Sequence, residues 1–212
     1  IELGGEDIWK GDVILGWMYE NFNAVEKVQL KESGEKIEYD KVFLQSQIYT
    51  PQWVVKFLVD NTLGKQYLEM YPDSRFMIDE ETGKTKYLIA NAPKLRVRQP
   101  KPNGILDIKL IDRACGCGNF LIYAFSVFYD MYVDQMENYG ADFSRRDIPK
   151  LIVENNLYGV DLDERAVQLT LLALFIKAMQ LKGRRGKMPT SCNVGSSHFT
   201  LPEYEKIEAT FD

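Results

Sequence analysis

The chain of 212 residues carries 26 Lys and Arg against 31 Asp and Glu, a formal charge of −5, and is 45% hydrophobic. That length allows one large domain with an appendage and a sizeable core, and the acidic balance argues against a chain whose main task is gripping phosphates. No apolar run is long enough to span a bilayer, and three cysteines with one histidine supply neither a disulfide framework nor the ligands of a zinc site.

Cys115 and Cys117 stand too close together for an ordinary bridge, and such cysteine usage fits reduced thiols in a cytoplasmic protein. The N-terminus, IELGGEDIWKGD, is acidic, has no signal-peptide pattern and does not begin with Met, so the expectation is a segment of a longer protein. Residues 12–28 place Val13, Trp17, Phe22 and Val25 at helical spacing, predicting a helix in which Trp17 and Tyr19 pack rather than bind. The charged stretch 31–41, with Gly34, predicts a loop or short turn. Thr50 then Pro51 predicts a helix start, a hydroxyl N-cap followed by proline at the first helical position. Trp53, Val54, Phe57 and Leu58 supply that helix's apolar face. Periodicity fails over 72–104, where 76–89 suggests a hairpin turning at Thr82-Gly83 and 91–104 a Pro-rich, basic surface connection, neither with assigned chemistry.

The chain is organised around DRACGCGNF (112–120), which follows a predicted buried strand, ILDIKLI (105–111), and precedes a predicted helix, LIYAFSVFYDMY (121–132). Strand, glycine turn and helix is the order in which backbone N–H groups face a ligand and glycines let it come close. Asp112 stands at the strand's end. The spacing is not G-x-G-x-x-G, so a dinucleotide fingerprint fits poorly, and a tight turn without a ligand is the plain alternative. After the turn-rich 137–150, NLYGV (156–160) predicts a second strand ending in Asp161, with Asp163 as N-cap of the next helix. Val167, Leu169, Leu171, Leu172, Leu174, Phe175, Ile176 and Met179 make that helix apolar almost all round, as a helix buried on more than one side would be. A carboxylate at a strand tip can accept both ribose hydroxyls of an adenosine-like ligand. With Asp163 filling the cap, Asp161 is left free for that task. KGRRGK (182–187) reads as a solvated helix exit, SCNV (191–194) as a third strand running into Ser196 and Ser197, and His198, without a partner carboxylate, as a turn or surface residue.

DRACGCGNF resembles D-P-A-C-G-S-G-x-F, the S-adenosylmethionine loop of the amino-methylating DNA methyltransferases, with Arg113 in place of Pro and Cys117 in place of Ser. QIYTPQWVVKFLVDNTLG (47–64), IPKLIVENNLYGVDLDERAVQL (148–169) and, more loosely, GWMYENFN (16–23) extend the resemblance. Together they are similar to adenine-specific enzymes of the BREX phage-exclusion and fused type II restriction–modification kinds. The resemblance implies part of the Rossmann-like, doubly wound α/β sheet of S-adenosylmethionine-dependent methyltransferases. It also implies a helical segment (1–44) ahead of a partial cofactor domain (45–212) in which 72–104 is an insertion. The cofactor residues it implies are Thr50 and Pro51 toward the methionine carboxylate, then Asp112, Ala114, Cys115, Gly116, Gly118, Asn119 and Phe120 in the loop. Asp161 and Leu162 follow at the ribose, and Ser196 and Ser197 at the adenine. It assigns no catalytic residue and no metal to the chain. Double-stranded DNA is the implied partner, held mostly by regions outside this chain, with other defence subunits beside it. The family's Asn/Asp-Pro-Pro-Tyr/Phe motif appears nowhere, and Phe211-Asp212 stand where the strand before it would begin. The expectation is therefore a cofactor-binding piece inactive by itself. A non-catalytic nucleotide-binding scaffold and a NAD-type oxidoreductase domain are the alternatives.

Overall fold

The computed structural model describes residues 14–34, 44, 47, 48, 50–76 and 96–197. The predicted hairpin turn at Thr82-Gly83, His198 and Phe211-Asp212 lie outside them.

Helix α1 (Ile14–Ser33) comes first, and then α2 (Gln52–Val59), which runs through a π turn (Asp60–Gly64) into α3 (Lys65–Met70). A 3-10 turn (Gly104–Asp107) leads to strand β1 (Leu110–Asp112). Helix α4 (Asn119–Asn138), short α5 (Ile148–Leu151) and a second π turn (Ile152–Asn156) connect β1 to β2 (Leu157–Asp161). Helix α6 (Glu164–Leu181) connects β2 to β3 (Asn193–Ser196). The three strands form one parallel sheet in the order β1-β2-β3, with Asp112 opposite Gly159 and Asp161 opposite Ser196. Parallel neighbours require such helical crossovers. The result is a mixed α/β arrangement compatible with the expected sheet and smaller than a complete doubly wound one. Among the described residues no helix is long and apolar enough to cross a membrane.

Helix α4 is the spine of the core, because Leu121, Ala124, Phe125, Phe128, Met131 and Tyr132 recur at helical spacing and are all buried. Gly159 in β2 lets Leu121 reach the sheet: a Cβ there would stand 2.8 Å from Leu121 Cδ1. Two buried polar hubs fix the surrounding pieces. Asn156, fully buried, donates through Nδ2 to the carbonyls of Ile105 (2.9 Å) and Ile108 (2.8 Å) and accepts from Tyr132 Oη (2.9 Å). Asp134 accepts from Tyr67 Oη (2.5 Å), Ser74 Oγ (2.8 Å) and Asn138 Nδ2 (2.8 Å), tying α3 to α4.

Several sequence expectations are corrected here. Helix α1 runs past residue 31 to Ser33, and Phe22 (75%) and Val25 (63%) are exposed. Its seated side carries Gly16, Asn23 and Lys27, and Asn23 Nδ2 and Lys27 Nζ donate to Gln47, so close approach and hydrogen bonds, with Leu15 against the core, hold it in place of the expected apolar stripe. Pro51, not Thr50, is the N-cap of α2. Its carbonyl accepts from the N–H groups of Val54 (3.0 Å) and Val55 (3.2 Å), and its extended ψ of 142° suits the cap. The buried face of α2 is Val55 and Val59, four residues apart, while Trp53 is 70% exposed and Leu58 is exposed too. The strand expected over 105–111 is only Leu110–Asp112, because Asn156 holds the carbonyls of Ile105 and Ile108 in and after a 3-10 turn. Nor is that strand fully buried: β1 is the sheet edge among the described residues, and Ile111 is 62% exposed. Helix α6 is buried on one side, through Ala166, Val167, Thr170, Ala173, Leu174, Lys177 and Ala178, leaving Leu172 and Met179 exposed. β3 starts two residues later than SCNV and includes Ser196.

Candidate functional site

The site grows from the neighbouring C-terminal ends of β1 and β2. Beyond Asp112 the chain stays paired for one more bond, Cys115 N–H to the Val160 carbonyl (3.1 Å), and then turns. Gly116 (φ +50°) and Gly118 (φ +84°) supply the left-handed conformations that side chains resist. Gly118 N–H closes the turn on the Cys115 carbonyl (2.8 Å), and its own carbonyl accepts Ile122 N–H (2.8 Å) to open α4. Thr170 on α6 clamps the turn from beneath, donating from Oγ1 to the Gly116 carbonyl (2.7 Å).

The two glycines serve different ends. A Cβ on Gly118 would stand 2.8 Å from Thr170 Cγ2, whereas one on Gly116 would meet nothing within 4 Å. Gly118 is required by packing, and Gly116 faces open space.

Asp161 is not structurally idle, contrary to the sequence expectation. Its Oδ2 accepts Gly116 N–H (2.7 Å) and its Oδ1 accepts Asp163 N–H (2.9 Å), coupling the glycine turn to the β2–α6 turn. Asp163 caps α6 as expected, accepting Arg165 N–H at Oδ1 (3.1 Å). Its Oδ2 accepts the Tyr19 hydroxyl of α1 at 2.5 Å, so Tyr19 does more than pack. Asp112 accepts Ala114 N–H (3.1 Å), and burial, with Asp161 nearby, raises its carboxyl above the usual range. Burial first, and the surrounding carboxylates second, push the Cys115 and Cys117 thiols up to about 12. Both stay protonated near neutral pH, so neither is a nucleophile.

These elements enclose a cleft of two adjoining lobes. The smaller, about 80 Å³, is lined by Gly16, Glu20, Thr50, Cys115, Cys117, Asn119 and Phe120. The larger, about 250 Å³, is lined by Arg113, Asp161, Leu162, Asp163 and Ala166. Gln47, Ile48, Ala114 and Gly116 border both. Of the residues singled out from sequence, Thr50, Ala114, Cys115, Gly116, Asn119, Phe120, Asp161 and Leu162 come together here. Pro51, Asp112, Gly118, Ser196 and Ser197 line neither lobe. Ser197 instead donates its N–H (2.8 Å) and Oγ (3.3 Å) to the Asp161 carbonyl, and so lies next to the larger lobe's wall. Sequence reasoning missed Gly16, Glu20, Gln47, Ile48, Arg113, Cys117, Asp163 and Ala166. All of them had a signal of sorts, since they lie within quoted motif strings, Asp163 there with only a structural task.

Two features of the cleft suit a bound small molecule. Among the described residues, a Cβ on Gly116 would meet nothing within 4 Å, and Asn119 Oδ1, buried in the smaller lobe's wall, has no hydrogen-bond partner. An orphaned buried acceptor calls for a donor on a ligand.

Known proteins resemble most of this chain. Residues 85–208 match the family model described as MmeI, DNA-methyltransferase domain. The chain is 32% identical over 182 residues, 82% of its length, to the adenine-specific methyltransferase BrxX of Escherichia coli O9:H4 (strain HS). It is 31% identical over 191 residues, 85% of its length, to the adenine-specific methyltransferase PglX of Lacticaseibacillus casei (strain Zhang). The chain spans only 14% and 15% of the length of those two relatives.

Proposed function

The chain belongs to the family of the MmeI DNA-methyltransferase domain, and we propose that it is the S-adenosylmethionine-binding part of an enzyme that methylates the exocyclic amine of adenine in DNA. The observation that carries this is the open face of Gly116 at the junction of the two lobes, a backbone cradle that a side chain would fill. Bound S-adenosylmethionine supplies a methyl group on an electrophilic sulfonium. The chain's own residues bind and orient it. Thr50 serves the carboxylate and Asn119 Oδ1 accepts from the ammonium in the smaller lobe. Asp161 takes the ribose hydroxyls: its carboxylate has about four lone-pair sites, and the two hydrogen bonds it already accepts leave room. Ser196, opposite Asp161 in the sheet, and Ser197 border the adenine end. The acidic groups along the cleft favour a cationic ligand. In the whole protein a flipped adenine would approach the methyl group in line, in a soluble cytoplasmic enzyme of a restriction–modification or phage-defence system.

Asp161→Ala should weaken binding of S-adenosylhomocysteine by about 1.5–3 kcal/mol, the scale of hydrogen bonds to a charged group. It should also lower the melting temperature, since Gly116 N–H and Asp163 N–H lose their acceptor. Calorimetric titration checks the first effect, and unchanged affinity removes Asp161 from the site. The chain contains no Asn/Asp-Pro-Pro-Tyr/Phe motif to hold the amine, so by itself it is expected to bind cofactor without methylating DNA. Incorporation of labelled methyl groups into unmodified DNA by this chain, above a no-protein control, would contradict that.

A further inference from the structure

Helix α1 is set over the smaller lobe by contacts that the cofactor reading does not require. Tyr19 Oη donates to Asp163 Oδ2 at 2.5 Å across 144 residues of sequence. The Arg165 guanidinium lies 5.8 Å from the centre of the Tyr19 ring, within cation–π range. One turn away Gly16 is buried against the glycine loop, where a Cβ would stand 3.1 Å from Cys117 Cβ and 3.2 Å from Asn119 Oδ1. Contacts that short are tighter than ordinary packing, so a side chain there would make the helix or the loop give by a few tenths of an ångström. Asp163 is itself held at its backbone N–H by Asp161, whose other oxygen holds Gly116 N–H. The cover and the floor of the cleft are thus joined by one run of hydrogen bonds. Burial and Asp163 push the Tyr19 hydroxyl up to about 12, so it remains a neutral donor near neutral pH.

We propose that Tyr19 and Asp163 form a latch that holds α1 closed over the smaller lobe, with Tyr19 and Gly16 acting as positioning residues for the amino-acid end of the bound cofactor. This rests on the cofactor assignment above. From α1, Gly16 and Glu20 line the smaller lobe beside Thr50 and Asn119 and do not line the larger one. A latched α1 is in place before the ligand arrives, so binding does not have to order it. Loosening α1 therefore weakens the hold on the amino-acid end and leaves the adenosine end alone.

Tyr19→Phe removes the latch hydroxyl and keeps the ring, while Gly16→Ala lifts the helix off the loop. The probes are S-adenosylhomocysteine and 5′-methylthioadenosine, which keeps the adenosine and the sulfur but lacks the amino-acid portion. Tyr19→Phe should bind S-adenosylhomocysteine about tenfold more weakly, the loss expected of one hydrogen bond to a charged acceptor, and release it faster. Gly16→Ala should show the same direction, and 5′-methylthioadenosine should bind both variants as it binds the parent. Hydrogen exchange gives an independent readout: without ligand, residues 14–23 should exchange more slowly in the parent than in Tyr19→Phe. Equal weakening of both ligands, no weakening of either, or equal protection of α1 in parent and variant overturns the latch alone. A parent chain that binds neither ligand overturns the cofactor assignment, and the latch with it.

Discussion

Gly118→Val is expected to unfold the glycine turn and abolish cofactor binding. Two costs add. The left-handed backbone at φ +84° costs a side chain about 1–2 kcal/mol. A valine Cβ, standing 2.8 Å from Thr170 Cγ2 and 3.0 Å from Thr170 Oγ1, adds overpacking of about 1–3 kcal/mol. A displaced Thr170 would also release the Gly116 carbonyl that it clamps. The sum, about 2–5 kcal/mol, is a large share of the stability of an ordinary domain. Urea unfolding followed by circular dichroism measures it. Gly116→Ala is the control: its backbone cost is similar, but its Cβ meets no atom of the described residues within 4 Å. It should keep most of its stability and still bind S-adenosylhomocysteine poorly. A Gly118→Val protein of parental stability would show that Thr170 is not the obstacle.

Asn156→Ala is the second large effect. Its side chain, fully buried, satisfies the carbonyls of Ile105 and Ile108 and the Tyr132 hydroxyl at once. Truncation strands the Ile108 carbonyl and the Tyr132 hydroxyl away from water, while the Ile105 carbonyl keeps only the Ile108 N–H (3.1 Å); each buried orphan costs about 1–3 kcal/mol, so a loss of about 2–5 kcal/mol is expected. Because the 3-10 turn and β1 are placed by this residue, the glycine loop should loosen as well. Denaturant midpoints of Asn156→Ala and Asn156→Asp check this. A loss under about 1 kcal/mol would mean that those carbonyls find other donors.

The glycine loop, β2 and the Asp163 cap are legible because each is written in adjacent residues: glycines, a short apolar stretch of Leu157, Tyr158 and Val160, and an acid before a helix. The short β1 was not, since ILDIKLI has a strand's composition and only a residue about fifty positions away, Asn156, turns its first half into a 3-10 turn. The faces of α1 and α2 misled for a related reason. Apolar periodicity marks which side of a helix is oily, but Gly16 and Asn23 on α1, and Val55 and Val59 on α2, decide which side is seated. At the site, Asp161 was found for its ligand chemistry while its two backbone partners were invisible in sequence. Tyr19 was passed over because its partner lies 144 residues away. Asn119 was named from the loop string, and only the structure shows that its Oδ1 is buried and unpartnered.

The central claim is that the cleft around Gly116 holds S-adenosylmethionine by its two ends. Its most direct test is calorimetric titration of the chain with S-adenosylhomocysteine and, in parallel, with NAD. S-adenosylhomocysteine should bind saturably and one-to-one, this binding should be lost in Gly116→Val, and NAD should give no measurable heat of binding. No binding of S-adenosylhomocysteine, or binding of NAD as tight, would contradict it.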